Sequence, residues 1–298
     1  MNMETENSSQ KDKIIAEGPD NSRFYGKNLL EGKRTVVTGG GLGIGRQIAY
    51  TLAEQGAHVV ILDYKQDLAE AAAELINKKF RCKRVHPVVG NVSDRSELKE
   101  SFTEIKQYYN GSLDVFMNNA GVNRPCRIED LSSQDEAEQA LRQIMVNQVG
   151  AYWCATYAYP LLLKGNDPVF IMMGSCASVG SEGQGVYAGT KAALRGLLGT
   201  LVKEWAATDE TQAVRIGLIE PDYFESTALR TQEYLTHLAR ARRTTVNNVA
   251  NDAVARAKVP LRREGKLVEI AEKVVMMILD SYSNGNIEVL SGGKTVRL

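Results

Sequence analysis

An α/β fold is predicted, built as one doubly wound domain around a mainly parallel seven-stranded sheet with helices on both faces. Three observations predict it. Short apolar runs alternate with helical patterns along the 298 residues, and strands that alternate with helices form parallel sheets covered on both sides. The first run, Thr35-Val36-Val37-Thr38, breaks into Gly39-Gly40-Gly41-Leu42-Gly43-Ile44-Gly45 before a helix begins. The second run ends in a carboxylate, Asp63, 18 residues past Gly45.

The elements follow in order. Thr35 to Thr38 is β-branched and apolar, the composition of a buried strand. After the glycines an amphipathic pattern runs to Gln55. His58 to Asp63 is the second strand, and Gln66 to Lys79 the helix after it. Arg84 to Val89 is the third strand, leading to Gly90-Asn91-Val92. Ser93-Asp94 caps a helix to about Tyr109. Leu113 to Met117 is the fourth strand and ends in Asn118-Asn119-Ala120-Gly121. One long helical stretch, about Gln134 to Leu163, carries Asn147. Val169 to Met173 is the fifth strand, closed by Gly174-Ser175, and Tyr187 to Ala207 is helical. Val214 to Ile219 and Ile287 to Leu290 are the sixth and seventh strands. Between them, Phe224 to Lys258 lacks a strand and reads as an inserted helical lid. Met1 to Asn28 is polar and charged and reads as a flexible arm, with Arg23-Phe24-Tyr25 able to pack on the body. The single domain spans residues 29–298.

Bulk composition narrows the function. Charge is balanced, 36 basic against 36 acidic residues, so neither nucleic acid nor an anionic membrane is expected as a partner. Apolar content of 43% supports a sizeable core. Four cysteines and three histidines show no metal-ligand spacing, so no metal is expected. Unpaired cysteines point to a reducing, cytoplasmic setting. No secretory signal opens the chain, and the longest apolar run, Ala151 to Leu163, is too short to span a bilayer.

The glycine loop has a physical logic of its own. Glycine permits a tight turn and lets a pyrophosphate approach the backbone. The helix that follows offers unpaired N–H groups and a positive dipole end. Strand, glycine turn, helix and a later acid together form a dinucleotide-binding pattern.

Taken in order, four motifs resemble the short-chain dehydrogenase/reductase superfamily, over roughly Leu30 to Gly293. They are Thr38-Gly39 with Gly43-Ile44-Gly45, Asn118-Asn119-Ala120-Gly121, Asn147 with Gly150, and Tyr187-Ala188-Gly189-Thr190-Lys191. The resemblance implies a Rossmann-type domain that binds NAD. Gly39, Gly41, Leu42, Gly43, Ile44 and Gly45 would hold the pyrophosphate. Asp63 and Tyr64 would lie at the adenosine, with Asn91 and Val92 beside the adenine. Asn119, Ala120, Gly121, Tyr187, Lys191 and Pro221 would complete the cofactor site. Asn147, Ser175, Tyr187 and Lys191 would be catalytic. Three positions depart from the pattern. Position 174 is Gly, so the serine is Ser175, 12 residues before Tyr187, with Ser178 as the fallback. Asn91 replaces an aspartate, and Asp222 follows Pro221 where glycine is usual.

The implied reaction moves a hydride between nicotinamide and a secondary alcohol or ketone. Tyr187 would exchange the hydroxyl proton. Bringing a phenol from a pKa of about 10 to about 7 requires roughly 4 kcal/mol. Lys191 lies four residues on, on the same helix face. A unit charge about 4 Å away contributes about 4 kcal/mol at an effective dielectric of about 20. Ser175 would steady the substrate oxygen, and Asn147 would hold a water linking Lys191 to solvent. Two other classes remain open: a non-catalytic dinucleotide-binding sensor or scaffold, and a lyase or epimerase that uses NAD. The substrate is a small molecule. Arg124, Arg240, Arg242 and Arg243 are candidates for gripping an anionic substrate group. The apolar stretches Ala151 to Leu163 and Tyr187 to Leu201 need cover, which together with the resemblance predicts a homotetramer.

Overall fold

The computed structural model describes residues 19, 21–22, 28–208, 211–225, 231–250 and 258–295. In chain order these form β1 (Arg34–Thr38), α1 (Gly43–Glu54), β2 (His58–Asp63), α2 (Gln66–Phe80), β3 (Val85–Val89), α3 (Arg95–Tyr108) and β4 (Val115–Asn118). There follow α4 (Gln134–Ile144), α5 (Gly150–Leu162), β5 (Val169–Met173), α6 (Gly185–Glu204), β6 (Arg215–Pro221), α7 (Gln232–Ala241), a short turn of helix Val246–Ala250, α8 (Leu267–Leu279) and β7 (Asn286–Leu290).

The seven strands form one parallel sheet in the order β3-β2-β1-β4-β5-β6-β7. The order reverses between β1 and β4. A crevice opens there beyond the carboxyl ends of the strands, where ligands bind in open α/β sheets.

Strand periodicity of two divides the core. Val37, Ile61, Met117 and Ile171 face α1, α2 and α8, meeting Ile48, Ile76 and Val274. Their neighbours Val36, Val60, Phe116 and Phe170 face α3, α5 and α6, meeting Phe102, Leu162 and Leu198. Each fully buried side chain of this size contributes about 1.5–3 kcal/mol relative to exposure.

Several boundaries differ from the sequence pattern. The long helix is interrupted by a π-turn, Met145–Val149, that contains Asn147; such turns redirect a side chain and recur at functional sites. Helix α6 begins at Gly185 and ends at Glu204, short of Ala207. Strand β6 runs on through Pro221, which registers with Leu290. Asp114 precedes β4 because its carboxylate is committed to Arg34, at 2.8 and 2.9 Å. The cap on α3 is Asp94, which accepts from the amides of Ser96 and Glu97.

Most of the N-terminal arm, including Arg23-Phe24-Tyr25, lies outside the described residues. Of the part described, Asn21 accepts from the Tyr50 hydroxyl at 2.6 Å, and the Ser22 amide donates to Glu54 at 2.9 Å. In the lid segment, 226–230 and 251–257 lie outside the description; helix α7 and the turn after it are what is described. Among the described residues no helix is long and apolar enough to cross a membrane, and no group of His, Cys, Asp and Glu is arranged to hold a metal.

Candidate active site

The strand ends and α7 enclose a cleft of about 1370 Å³. Its floor begins at the glycine loop. Gly39 has φ +62°, in the left-handed region. At Gly45 a Cβ would stand 2.1 Å from the Gly39 carbonyl oxygen, so no larger residue fits. Leu42 caps α1 without a side-chain hydrogen bond, which leaves first-turn N–H groups for a ligand. Gly39, Leu42, Ile44 and Gly45 line the cleft, whereas Gly41 and Gly43 sit behind it. Thr38 locks the floor: its Oγ1 accepts from the amides of Asn119 and Ala120 at 3.0 and 2.9 Å.

Asp63 stands where the second strand predicts it, lining the cleft and only 7% exposed. Its carboxylate accepts from the Gly41 and Lys65 amides at 3.0 and 3.1 Å. Burial pushes its pKa up, and those amides act against that. Tyr64, Asn91 and Val92 line the same end. Asn91 spends its side-chain acceptor locally. Its Oδ1 accepts from both the amide and the hydroxyl of Ser93, closing a local turn.

Ala120, Gly121, Ser175, Tyr187, Lys191 and Pro221 line the other end. Ser175 Oγ accepts from the Ala177 amide at 3.1 Å and lowers the Tyr187 pKa. Ser178 is turned away, its hydroxyl donating to Glu220 at 3.0 Å. Lys191 Nζ donates to the Met173 carbonyl at 2.7 Å and lies 5.7 Å from the Tyr187 ring centre. A Cβ on Gly121 would stand 3.3 Å from Asn147 Oδ1 and 3.4 Å from Lys191 Nζ, so both groups flank one point. Asn147 lies behind the lining. Its Oδ1 accepts from the Val122 amide, and its Nδ2 donates to the Val122 carbonyl and to Thr190.

The protein alone does not bring Tyr187 to neutral pKa. Burial pushes the phenol up to about 12, Ser175 pulls it down, and nearby Tyr234 raises it. Burial lowers Lys191 to about 8. The lysine turns to the Met173 carbonyl, so its charge is not aimed at the phenol, and desolvation prevails over attraction.

Asp222 is matched by Lys294, at 2.9 Å, and its amide donates to Leu290. The glycine expected after Pro221 is thus replaced by an ion-paired residue just past the end of β6. Of the four arginines, Arg124 and Arg242 line the cleft; Arg240 and Arg243 do not. Arg124 is surrounded by Asp135, Glu136 and Glu233 at 3.0 to 3.4 Å, a setting that offers an anion little. Arg243 pairs with Glu129. The sequence motifs did not single out Arg195, Glu220, Tyr234 and His237 as site residues. Arg195 carried a legible signal, four residues past Lys191 on the same face of α6.

Comparison with known proteins places this geometry. The short chain dehydrogenase family model matches residues 33–237. The chain is 30% identical over 268 residues to sorbitol-6-phosphate 2-dehydrogenase of Klebsiella pneumoniae, covering 87% of this chain and 95% of that protein. It is 28% identical over 274 residues to a 3-oxoacyl-(acyl-carrier-protein) reductase of Thermotoga maritima, covering 90% and 99%. A 3-ketoacyl-(acyl-carrier-protein) reductase from Brucella melitensis, solved with NADH, shares the fold at a TM-score of 0.73 and 23% identity, over 90% of this chain and 100% of that one.

Proposed function

The chain belongs to the short chain dehydrogenase family, a family of nicotinamide-dependent oxidoreductases, and we propose that it is an NAD(H)-dependent enzyme interconverting a polar secondary alcohol and its ketone. The observation that carries this reading is that Ser175, Tyr187 and Lys191, the last one helical turn beyond the tyrosine, line the same cleft as the glycine loop. A catalytic role for this group is favoured over a non-catalytic sensor because a phenol, a hydroxyl and an amine converge on one open space.

The residues fit a nicotinamide dinucleotide. Gly39, Leu42, Ile44 and Gly45 form a cradle that a Cβ at Gly45 would fill, beside unspent helix donors. Asp63 keeps lone pairs for ribose hydroxyls after its two amide bonds. A 2′-phosphate there would place like charges about 4 Å apart, costing about 4 kcal/mol at an effective dielectric of about 20, roughly a thousandfold in affinity. Of two cations near in sequence, Arg46 does not line the cleft, and Lys65 lines it with Nζ 5.5 Å from the Tyr64 ring centre. Asn91, Val92, Asn119, Ala120, Gly121 and Pro221 complete the cofactor walls.

When bound, the nicotinamide supplies the hydride acceptor or donor at the carbinol carbon. Tyr187 takes the hydroxyl proton in one direction and returns it in the other. Ser175 holds the substrate oxygen against the phenol. Lys191 adds positive charge near the phenolate, and Asn147 fixes the π-turn beside it. Helix α7 acts as a substrate lid, tied to the body by Arg124–Glu233 and by the Gln184 amide donating to the Tyr234 hydroxyl at 3.1 Å. A polar substrate is supported by Asn123, Arg142, Tyr234 and His237 along this wall; Asn123 Oδ1 is buried and lacks a partner among the described residues. The enzyme is placed in the cytoplasm, consistent with four free cysteines, and assembled as a homotetramer through α5 and α6.

The test is a spectrophotometric screen with NAD and NADH over sugar alcohols, their phosphates and 3-oxoacyl thioesters. Turnover is expected on a polar alcohol or ketone. Cofactor binding without turnover on any of them would instead favour the sensor reading.

A further inference from the structure

Glu220, next to last in β6, has a fully buried side chain, and its bonds come from separate parts of the site. Arg195 donates to both carboxylate oxygens at 2.7 Å. Ser178 donates to Oε1 at 3.0 Å, and the Cys176 thiol donates to the Glu220 backbone carbonyl at 3.3 Å. Arg195 stands one turn beyond Lys191 and two beyond Tyr187, on one face of α6. Cys176 and Ser178 belong to the turn that starts at Ser175. Pro221, directly after Glu220, lines the cleft, whereas Glu220 and Arg195 do not.

We propose that Glu220 and Arg195 are a positioning pair that sets the Ser175 turn, the Tyr187–Lys191 face of α6 and the Pro221 end of β6 in one register. The proposal rests on the reading of Tyr187 as acid/base. A bidentate guanidinium–carboxylate pair fixes orientation as well as distance. An ion pair buried this way adds little net stability over apolar packing, so its value here lies in geometry. The geometry is demanding, because a misplacement of about 1 Å costs catalysis about a hundredfold. Besides Arg195, the Cys176 thiol lies beside Glu220, and Asp222 and Lys294 act on that thiol.

The test compares the full-length wild type with Arg195→Met, Arg195→Lys and Glu220→Gln in two measurements. Amide exchange over residues 174–180 should rise about tenfold in Arg195→Met and Glu220→Gln. Arg195→Lys, which keeps charge without the fork, should fall between these and wild type. The second measurement is the pH dependence of NAD affinity relative to NADH. The positive nicotinamide favours the Tyr187 phenolate, so NAD should bind more tightly as pH rises through that ionisation. Subtracting the Tyr187→Phe profile isolates this step from Lys191. Displacement of Ser175, which lowers the Tyr187 pKa, should move the step up by about 1 in pH in Glu220→Gln. Unchanged exchange and an unchanged step, even with a lower Tm, would overturn the positioning role. A Tyr187→Phe profile identical to wild type would instead overturn the acid/base reading, and amide exchange would still judge the pair. Should Glu220→Gln not fold, Ser178→Ala removes one link of the turn and carries both measurements.

Discussion

Gly174 and Glu220 lie so close across β5 and β6 that a Cβ at position 174 would stand 2.9 Å from Glu220 Cγ and 3.1 Å from the Ile219 carbonyl oxygen. The larger buried residue on β6 requires the smaller one just past β5, and the serine stands one position on, at Ser175. Gly174→Ser is therefore expected to destabilise the protein by about 1–3 kcal/mol through overpacking. The Gly174→Ser/Glu220→Ala double variant should lose less than the sum of the two single losses. Denaturant unfolding of the four proteins measures this, and strict additivity would show that the contact carries no coupling.

Tyr187→Phe should abolish turnover while leaving NADH binding within about threefold of wild type. Only the hydroxyl proposed to carry the proton is removed, and the ring keeps its place in the wall. Steady-state kinetics beside a fluorescence titration of NADH separates the two effects. Retention of more than about a tenth of kcat would remove Tyr187 from its role.

Asp63→Ala should erode the preference for NAD over NADP. The carboxylate proposed to accept from ribose hydroxyls would also repel a 2′-phosphate. The ratio of kcat/KM for the two cofactors should fall about a hundredfold or more. The variant also loses the acceptor of the Gly41 amide, so weaker binding of both cofactors should accompany it. A ratio equal to wild type would show that another residue sets the choice.

Stability without cofactor should depend on alkaline pH in two opposed steps. The folded protein holds Lys191 at about 8, below its unfolded value of 10.5. Between those values the unfolded chain binds more protons, so stability rises with pH across that window. The folded protein holds Tyr187 at about 12, above its unfolded value of 10.0. Between those values the folded chain keeps the proton, so stability falls as pH rises. Lys191→Met should remove the first step and Tyr187→Phe the second, measured by urea midpoints from pH 7 to 11. Profiles unchanged by either substitution would show that the burial of these groups does not govern the alkaline behaviour.

The sequence alone determined the sheet, its helices and the end of the sheet that carries the site. Those depend on short-range physics: apolar runs of strand length, a glycine turn before a helix, and an acid at the end of the next strand. It also put Tyr187 and Lys191 on one face, because four residues make about one helical turn. The tertiary structure decided what depends on partners distant in sequence. Asn91 spends its acceptor on Ser93, within reach of a sequence reading. Glu220, by contrast, meets Arg195 and Ser178 from 25 and 42 residues away, and Asp222 meets Lys294 from 72. The direction of the Tyr187 and Lys191 shifts was likewise hidden. A spacing gives the distance between two charges, but burial decides which of desolvation and attraction prevails, and burial is a property of the packed chain.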